Sequence, residues 1–269
     1  MSKKNFKKRR LSYNKVALLC LVVVLIFGGV FAFKNNNKTN NEDPNENKNI
    51  VSTFNEQNEK VETYTASILA AGDIMVHTPQ LKAQYNASTK TYNFDNNFKY
   101  VKKYIEKADY SLANLETTLA GNDVYKYSSY PMFNSPDELA DALKNAGFDL
   151  LSTINNHSYD KGGLGVSRTL EVLKKKGFDT VGTREKESDN DYLIKDINNI
   201  KVGFTSYSYG DIKDGTKYLN GIKVSKESGD KMNVFDSSNV DNAYKTISAT
   251  LDKMKDTDIQ IVILHWGIE

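Results

Sequence analysis

Four short clusters in this sequence combine residue types that bind divalent cations or move protons. Gly72-Asp73-Ile74-Met75-Val76-His77 offers a carboxylate and an imidazole. Asn114-Leu115-Glu116 offers an amide and a carboxylate two residues apart, hence on one side of an extended strand. Asn155-Asn156-His157 is followed by Asp160 and by Gly162-Gly163-Leu164-Gly165. His265-Trp266-Gly267-Ile268-Glu269 adds an imidazole and another acid. The chain has 3 histidines, and each falls in one of these clusters. Carboxylate oxygens, amide oxygens and imidazole nitrogens together suit Mn²⁺, Fe²⁺ or Zn²⁺. A carboxylate can bridge two such ions, and the pair then polarises a phosphoryl group and supplies a hydroxide nucleophile. Taken singly, each residue also has a plainer reading. Asp73 suits a turn or a helix cap, Asn155-Asn156 a turn, Asp160 the cap of the next helix, and Trp266 simple packing. His77 suits a surface position better than a ligand position.

The clusters gain weight from the elements that must carry them. Apolar runs of strand length alternate with segments of helical period. Ala66–Ala71 (ASILAA) reads as a buried strand that runs into Asp73. Phe98, Val101, Ile105 and Ala108 mark a helix face. Tyr110–Leu115 is a second strand and carries Asn114. Ser135-Pro136-Asp137-Glu138 reads as a helix start, with Ser at the cap and Pro at the first helical position. That helix ends at Gly147. Phe148–Ile154 is a third strand, running into Asn155. A helix over about 163–176 follows, then a short strand at Asp179–Val181. Tyr192–Ile197 and Ile200–Tyr207 flank Asn198-Asn199 as a hairpin. Val240, Ala243, Tyr244, Ile247, Leu251 and Met254 outline another helix. Asp258–Leu264 (DIQIVIL) reads as a last buried strand, running into His265. Such alternation predicts an α/β fold, a mostly parallel sheet with helices on its faces. In sheets of that kind, sites form at the carboxyl ends of strands, where all four clusters fall.

The first 63 residues are of another character. Seven basic residues and no acid precede Val16–Phe33, an 18-residue run without charge. As a helix it would be about 27 Å long, close to the roughly 30 Å of a bilayer's hydrocarbon core. The flanking charge places residues 1–15 in the cytoplasm and the body of the chain outside. Phe31-Ala32-Phe33 offers no clean cleavage site, so an uncleaved anchor is the better expectation than a signal peptide. Residues 34–63 then form an Asn-rich linker, too polar to bury a core. Residues 64–269 form the extracytoplasmic domain. The one cysteine, Cys20, sits in the apolar run, so no disulfide forms in the body. Without its N-terminal tail the chain has 29 basic and 34 acidic residues. A mildly acidic body argues against a nucleic-acid partner.

GDIM, ANLE, NNHSYDKGGLG and HWGIE, in this order and spacing, resemble the CapA family of poly-γ-glutamate capsule synthesis proteins. The resemblance covers about residues 66–269. It implies a layered sandwich similar to calcineurin-like metallophosphoesterases, with helices packed on mostly parallel or mixed sheet. Residue by residue, it implies metal ligands at Asp73, Glu116, Asn156, His157 and His265. It implies chemistry at Asn156 and His157, with Asn114, Asp160 and Glu269 around the substrate. His77 falls outside it. A divalent metal (Mn, Fe or Zn) is the implied cofactor. The implied partners are the membrane, capsule-synthase membrane proteins and an anionic polymer. An acidic body around a polyanion needs local basic groups or metal; Lys161, Arg168 and Lys174–Lys176 are candidates, although a lysine run on a helix is usually a solvated face. Family members continue past HWG-x-E to a further strand and a GHxPH-like motif absent from this sequence. The resemblance therefore implies an incomplete fold that is inactive alone. Three functions stand open: a capsule-assembly component, a dinuclear-metal hydrolase of phosphoesters or polymer amide bonds, and a non-catalytic binding remnant.

Overall fold

The computed structural model describes residues 62–267. The basic tail, the Val16–Phe33 run, most of the Asn-rich linker and Glu269 lie outside the described residues. Among the described residues, no helix is long and apolar enough to cross a membrane.

The first half of the described chain runs β1 (Ile68–Ile74), α1 (Thr78–Gln84), β2 (Tyr85–Asn86), β3 (Thr91–Tyr92), α2 (Asp95–Phe98), α3 (Lys102–Ile105), β4 (Tyr110–Leu115), α4 (Glu138–Ala146), β5 (Leu150–Ser152), α5 (Gly162–Lys175) and β6 (Asp179–Val181). The second half runs β7 (Leu193–Ile197), β8 (Ile200–Lys213), β9 (Thr216–Leu219), β10 (Ile222–Lys223), α6 (Lys226–Gly229), β11 (Val234–Asp236), α7 (Val240–Lys253) and β12 (Ile259–His265).

β1, β4, β5 and β6 form a parallel sheet in the order β1-β4-β5-β6. The long β8 organises a second sheet. β7 pairs with its first half antiparallel, and β12 pairs with it parallel over Val202–Ser208. β11 and β9 take its far half. The two sheets pack face to face. Tyr110 and Leu112 of β4, Leu150 of β5 and Val181 of β6 meet Ile197, Val202 and Phe204, with Ile261 and Ile263 of β12 against them. The alternation of β4 sends Ala113 and Leu115 to the other face, into a core with Leu139, Leu143 and Phe148. α7 covers the outer face of the second sheet through Ala243 and Ile247, against Tyr207 and Phe235. Each fully buried Leu or Phe in these layers contributes roughly 1.5–3 kcal/mol. The result is a mixed α/β sandwich with one wholly parallel sheet, as expected.

Several local expectations are corrected. The strand expected at Ala66–Ala71 runs over Ile68–Ile74 and is only half-buried, because it is an edge strand. β12 is likewise half-buried, since among the described residues β8 is the one strand it pairs with. The single helix face expected from Phe98 to Ala108 is two short helices, α2 and α3, with a turn at Lys99–Val101. α4 starts two residues later than the Ser-Pro signal suggests, with Asp137 at its N-cap position. Ser135 instead donates its backbone N–H to Thr118 O and exchanges a hydroxyl hydrogen bond with Thr117. Tertiary partners on the β4–α4 loop thus outcompete the local capping geometry. The hairpin at Asn198-Asn199 is present, both residues holding positive φ.

Candidate metal centre

The four clusters converge. β1 carries a bulge between Ala70 and Asp73, so that Asp73 lies beside Asn114 rather than out of step with it. Asn114 and Glu116 stand on the β4 face that looks toward the second sheet, one turn of the pleat beyond Leu112. From that sheet, the last residue of β12 is His265, continuing the inward series Ile261, Ile263. The sandwich packing therefore carries a histidine from one sheet to the carboxylates of the other.

Asp73, Glu116 and His265 each offer a ligand atom, and these atoms lie within 4.8 Å of one another. His265 Nδ1 is 3.9 Å from Asp73 Oδ1, and its Nε2 is 3.7 Å from Glu116 Oε1. Asn156 Oδ1 is 2.9 Å from His265 Nε2. Ligand atoms sharing one ion at bond lengths of about 2.0–2.2 Å stand roughly 3–3.5 Å apart, and a ring ligates one ion through one nitrogen, so this set closes on a divalent cation with side-chain adjustment of about 1–2 Å. The Asn114 amide shows the same demand for positive charge. Its Nδ2 reaches Asp73 Oδ1 at 2.8 Å, Glu116 Oε2 at 3.4 Å and His265 Nδ1 at 3.3 Å. Glu116 is buried, and a carboxylate so placed needs such partners.

The loop after β5 supplies the rest. Asn155 folds it: the His157 N–H donates to Asn155 Oδ1, and Asn155 Nδ2 donates to Asn114 Oδ1 and Leu115 O. Asn155 thus builds the turn, and Asn156 faces the triad. His157 is buried and stands outside the triad, its Nδ1 2.9 Å from Asp160 Oδ2. The Phe133 N–H also donates to that oxygen, at 2.6 Å, while Asp160 Oδ1 is buried without a hydrogen-bond partner. Asp160 therefore anchors His157 rather than capping α5. The Phe133 ring stands edge-on to both His157 and His77.

A cavity of about 350 Å³ opens onto this group, lined by Asp73, Glu116, His157 and His265 with a largely aromatic wall of Tyr130, Phe133, Tyr209 and Trp266. His77 also lines it, without joining the triad. Tyr130, Phe133 and Tyr209 carry no signal of this role in the sequence; they come from loops and from β8, and Tyr209 stacks on His265 at 6.0 Å. A larger cavity, about 430 Å³, lies between α5 and the β6–β7 loop at the end of β6, lined by none of the triad residues, and ion pairs hold several of its charged groups.

The basic groups expected to serve a polyanion are engaged elsewhere. Arg168 pairs with Asp137, and Lys174, Lys175 and Lys176 with Glu185, Glu171 and Asp141. Lys161 donates to Met132 O, and its partial burial pushes its pKa down. None of them lines the triad cavity.

Fold and site together define a layered α/β protein with a carboxylate–histidine cluster at its strand ends, consistent with a metallophosphoesterase-like fold. The family described as "Bacterial capsule synthesis protein PGA_cap" matches residues 67–269, and the chain belongs to that family. It is similar to the capsule biosynthesis protein CapA of Bacillus anthracis, 27% identical over 223 residues, which is 79% of this chain and 48% of the relative. It is also similar to the PGA biosynthesis protein CapA of Bacillus subtilis (strain 168), 30% identical over 158 residues, 55% of this chain and 40% of the relative. The chain thus spans about half the length, or less, of these curated relatives.

Proposed function

We propose that this chain is a membrane-anchored, extracytoplasmic component of poly-γ-glutamate capsule synthesis or export, with a divalent cation at the strand-end site. The convergence of Asp73, Glu116 and His265 inside the family domain carries this reading. The names of the relatives supply the capsule context, and the basic, then apolar N-terminus supplies the anchor. Among the described residues, no lysine or arginine lines the cavity, so a polycarboxylate reaching it needs the cation for charge balance. Asp73, Glu116, His265 and Asn156 would hold the ion. When bound, it supplies Lewis acidity toward a carboxyl, acyl or phosphoryl oxygen.

A second reading, hydrolysis of phosphoesters or of polymer amide bonds, is favoured by the His157–Asp160 pair. Asp160 Oδ2 holds His157 Nδ1 at 2.9 Å and so orients the ring. The ring stands in a cavity shared with the triad, where an imidazole can take or give a proton.

The test uses the full chain. Its gene is deleted in the source cell, and cell-associated poly-γ-glutamate is measured after complementation with wild type, Asp73→Ala or His157→Ala. Lost polymer, restored by wild type and not by Asp73→Ala, is the expected result. Undiminished polymer in the deletion strain refutes the capsule role. If His157→Ala restores polymer fully, the site binds without hydrolysing.

A further inference from the structure

Asn220, from outside the four clusters, also reaches the site. β9 and β10 are joined by Asn220-Gly221, with φ of +46° and +73°, the backbone of a tight hairpin turn that Asn-Gly adopts readily. Turn chemistry explains the residue types. It does not explain where the Asn220 side chain goes. Asn220 Oδ1 accepts a hydrogen bond from Asn156 Nδ2 at 3.2 Å, and Asn220 Nδ2 lies 3.4 Å from His157 Nδ1.

The hairpin is firmly held where it does this. Leu219 and Val224, on either side of it, are buried with Ile154, Tyr159, Val166 and Leu170 of the β5–α5 segment. The Ser225 N–H donates to Tyr159 Oη. The second sheet therefore clamps the loop that carries Asn156 and His157, and Asn220 is the polar tip of the clamp.

An asparagine amide has one end that ligates a cation and one that does not. With Nδ2 of Asn156 given to Asn220, the oxygen is the end turned toward His265, at 2.9 Å. We infer that Asn220 is a positioning residue for the cation site: it fixes the Asn156 amide with its oxygen facing the triad. This rests on the proposed cation site. Outer partners that orient a ligand commonly change metal affinity by about 10–100-fold.

The experiment separates turn from side chain. Asn220→Gly keeps a residue at ease with positive φ and removes the acceptor; Asn220→Asp keeps both. Mn²⁺ affinity of the full chain is measured by calorimetry, beside the Asn156 side-chain amide signals in metal-free protein. The expected result for Asn220→Gly is affinity at least ~10-fold weaker and altered Asn156 signals, with Asn220→Asp within about threefold of wild type. Unchanged affinity and signals in Asn220→Gly overturn the inference, as does an Asn220→Asp variant no better than Asn220→Gly. If Asn220→Gly fails to fold, the same loss of affinity in a folded Asn220→Asp overturns it. If wild type binds no Mn²⁺, the cation reading fails, and the Asn156 signals decide the role of Asn220 without it.

Discussion

The Asn155 side chain donates to Asn114 Oδ1 at 3.0 Å, and this single bond sets which way the Asn114 amide faces. With its oxygen committed to Asn155, Asn114 turns its NH₂ group toward Asp73, Glu116 and His265. A partial positive charge thus stands among the donor atoms of the triad. β4 and the loop after β5 supply the two asparagines, and β12 of the second sheet brings His265 to them.

Replacing that NH₂ group with a carboxylate tests the balance. Asn114→Asp still accepts from Asn155 but sets a third acid beside Asp73 and Glu116. Like-charge repulsion is expected to lower the Tm in chelator by about 4–8 °C, equivalent to roughly 2 kcal/mol in a domain of this size. Added Mn²⁺ should then raise the Tm of the variant more than that of wild type. Thermal unfolding with and without the ion reads both effects, and a variant that tracks wild type in both buffers refutes the charge argument.

The triad and the His157 pair should part company in metal content. Asp73→Ala and His265→Ala each remove a donor, and Mn²⁺ affinity is expected to fall at least ~100-fold. His157→Ala removes a ring held by Asp160 outside the triad, so affinity should stay within about tenfold, the level of an outer partner. Turnover of a phosphodiester or a γ-glutamyl amide, where present, should vanish in His157→Ala. Equal loss of metal in all three variants would place His157 among the ligands.

Much of this site is legible in the sequence because strand ends are. Asp73, Asn114, Glu116, Asn156, His157 and His265 each follow an apolar run, and parallel pairing brings such ends together. Asn220, Tyr130 and Phe133 are not legible in that way. Asn220 reads as half of a turn dipeptide, and nothing local tells that the turn lands on Asn156. The bulge in β1 is equally silent, since Gly72 has open space around it and no local signal of its own. The N-cap expected at Ser135 fails for the same reason: its partner is Thr118, 17 positions earlier in the chain.

Gly182 supports the site from behind. It holds φ of +102°, and a Cβ there would sit 2.3 Å from Ile154 Cγ2. Ile154 is fully buried and immediately precedes Asn155. Gly182→Ala must therefore strain its own backbone and push the loop that carries Asn156 and His157. A cost of about 2–4 kcal/mol is expected, with weakened Mn²⁺ binding as a second consequence. Denaturant unfolding and Mn²⁺ titration read the two. Normal stability together with normal binding would show that the loop absorbs the methyl group, and that Ile154 does not fix the position of the site.

Acid stability turns on Asp191, which ties the β6–β7 loop to α7. Burial alone would raise its pKa. Lys253, at 2.8 Å, and the Thr250 hydroxyl, also at 2.8 Å, outweigh burial and hold it below the usual aspartate value. A depressed carboxyl contributes stability that is complete above the unfolded value, about 4, and is lost as pH falls toward the folded value. Asp191→Asn should therefore lower the Tm at pH 7 by about 2–4 °C, roughly 1 kcal/mol. The gap between variant and wild type should close below about pH 4, as wild type takes up its proton. Tm measured from pH 7 down to pH 3 in both proteins decides the matter, since parallel curves would mean that the carboxylate's charge plays no part in holding α7.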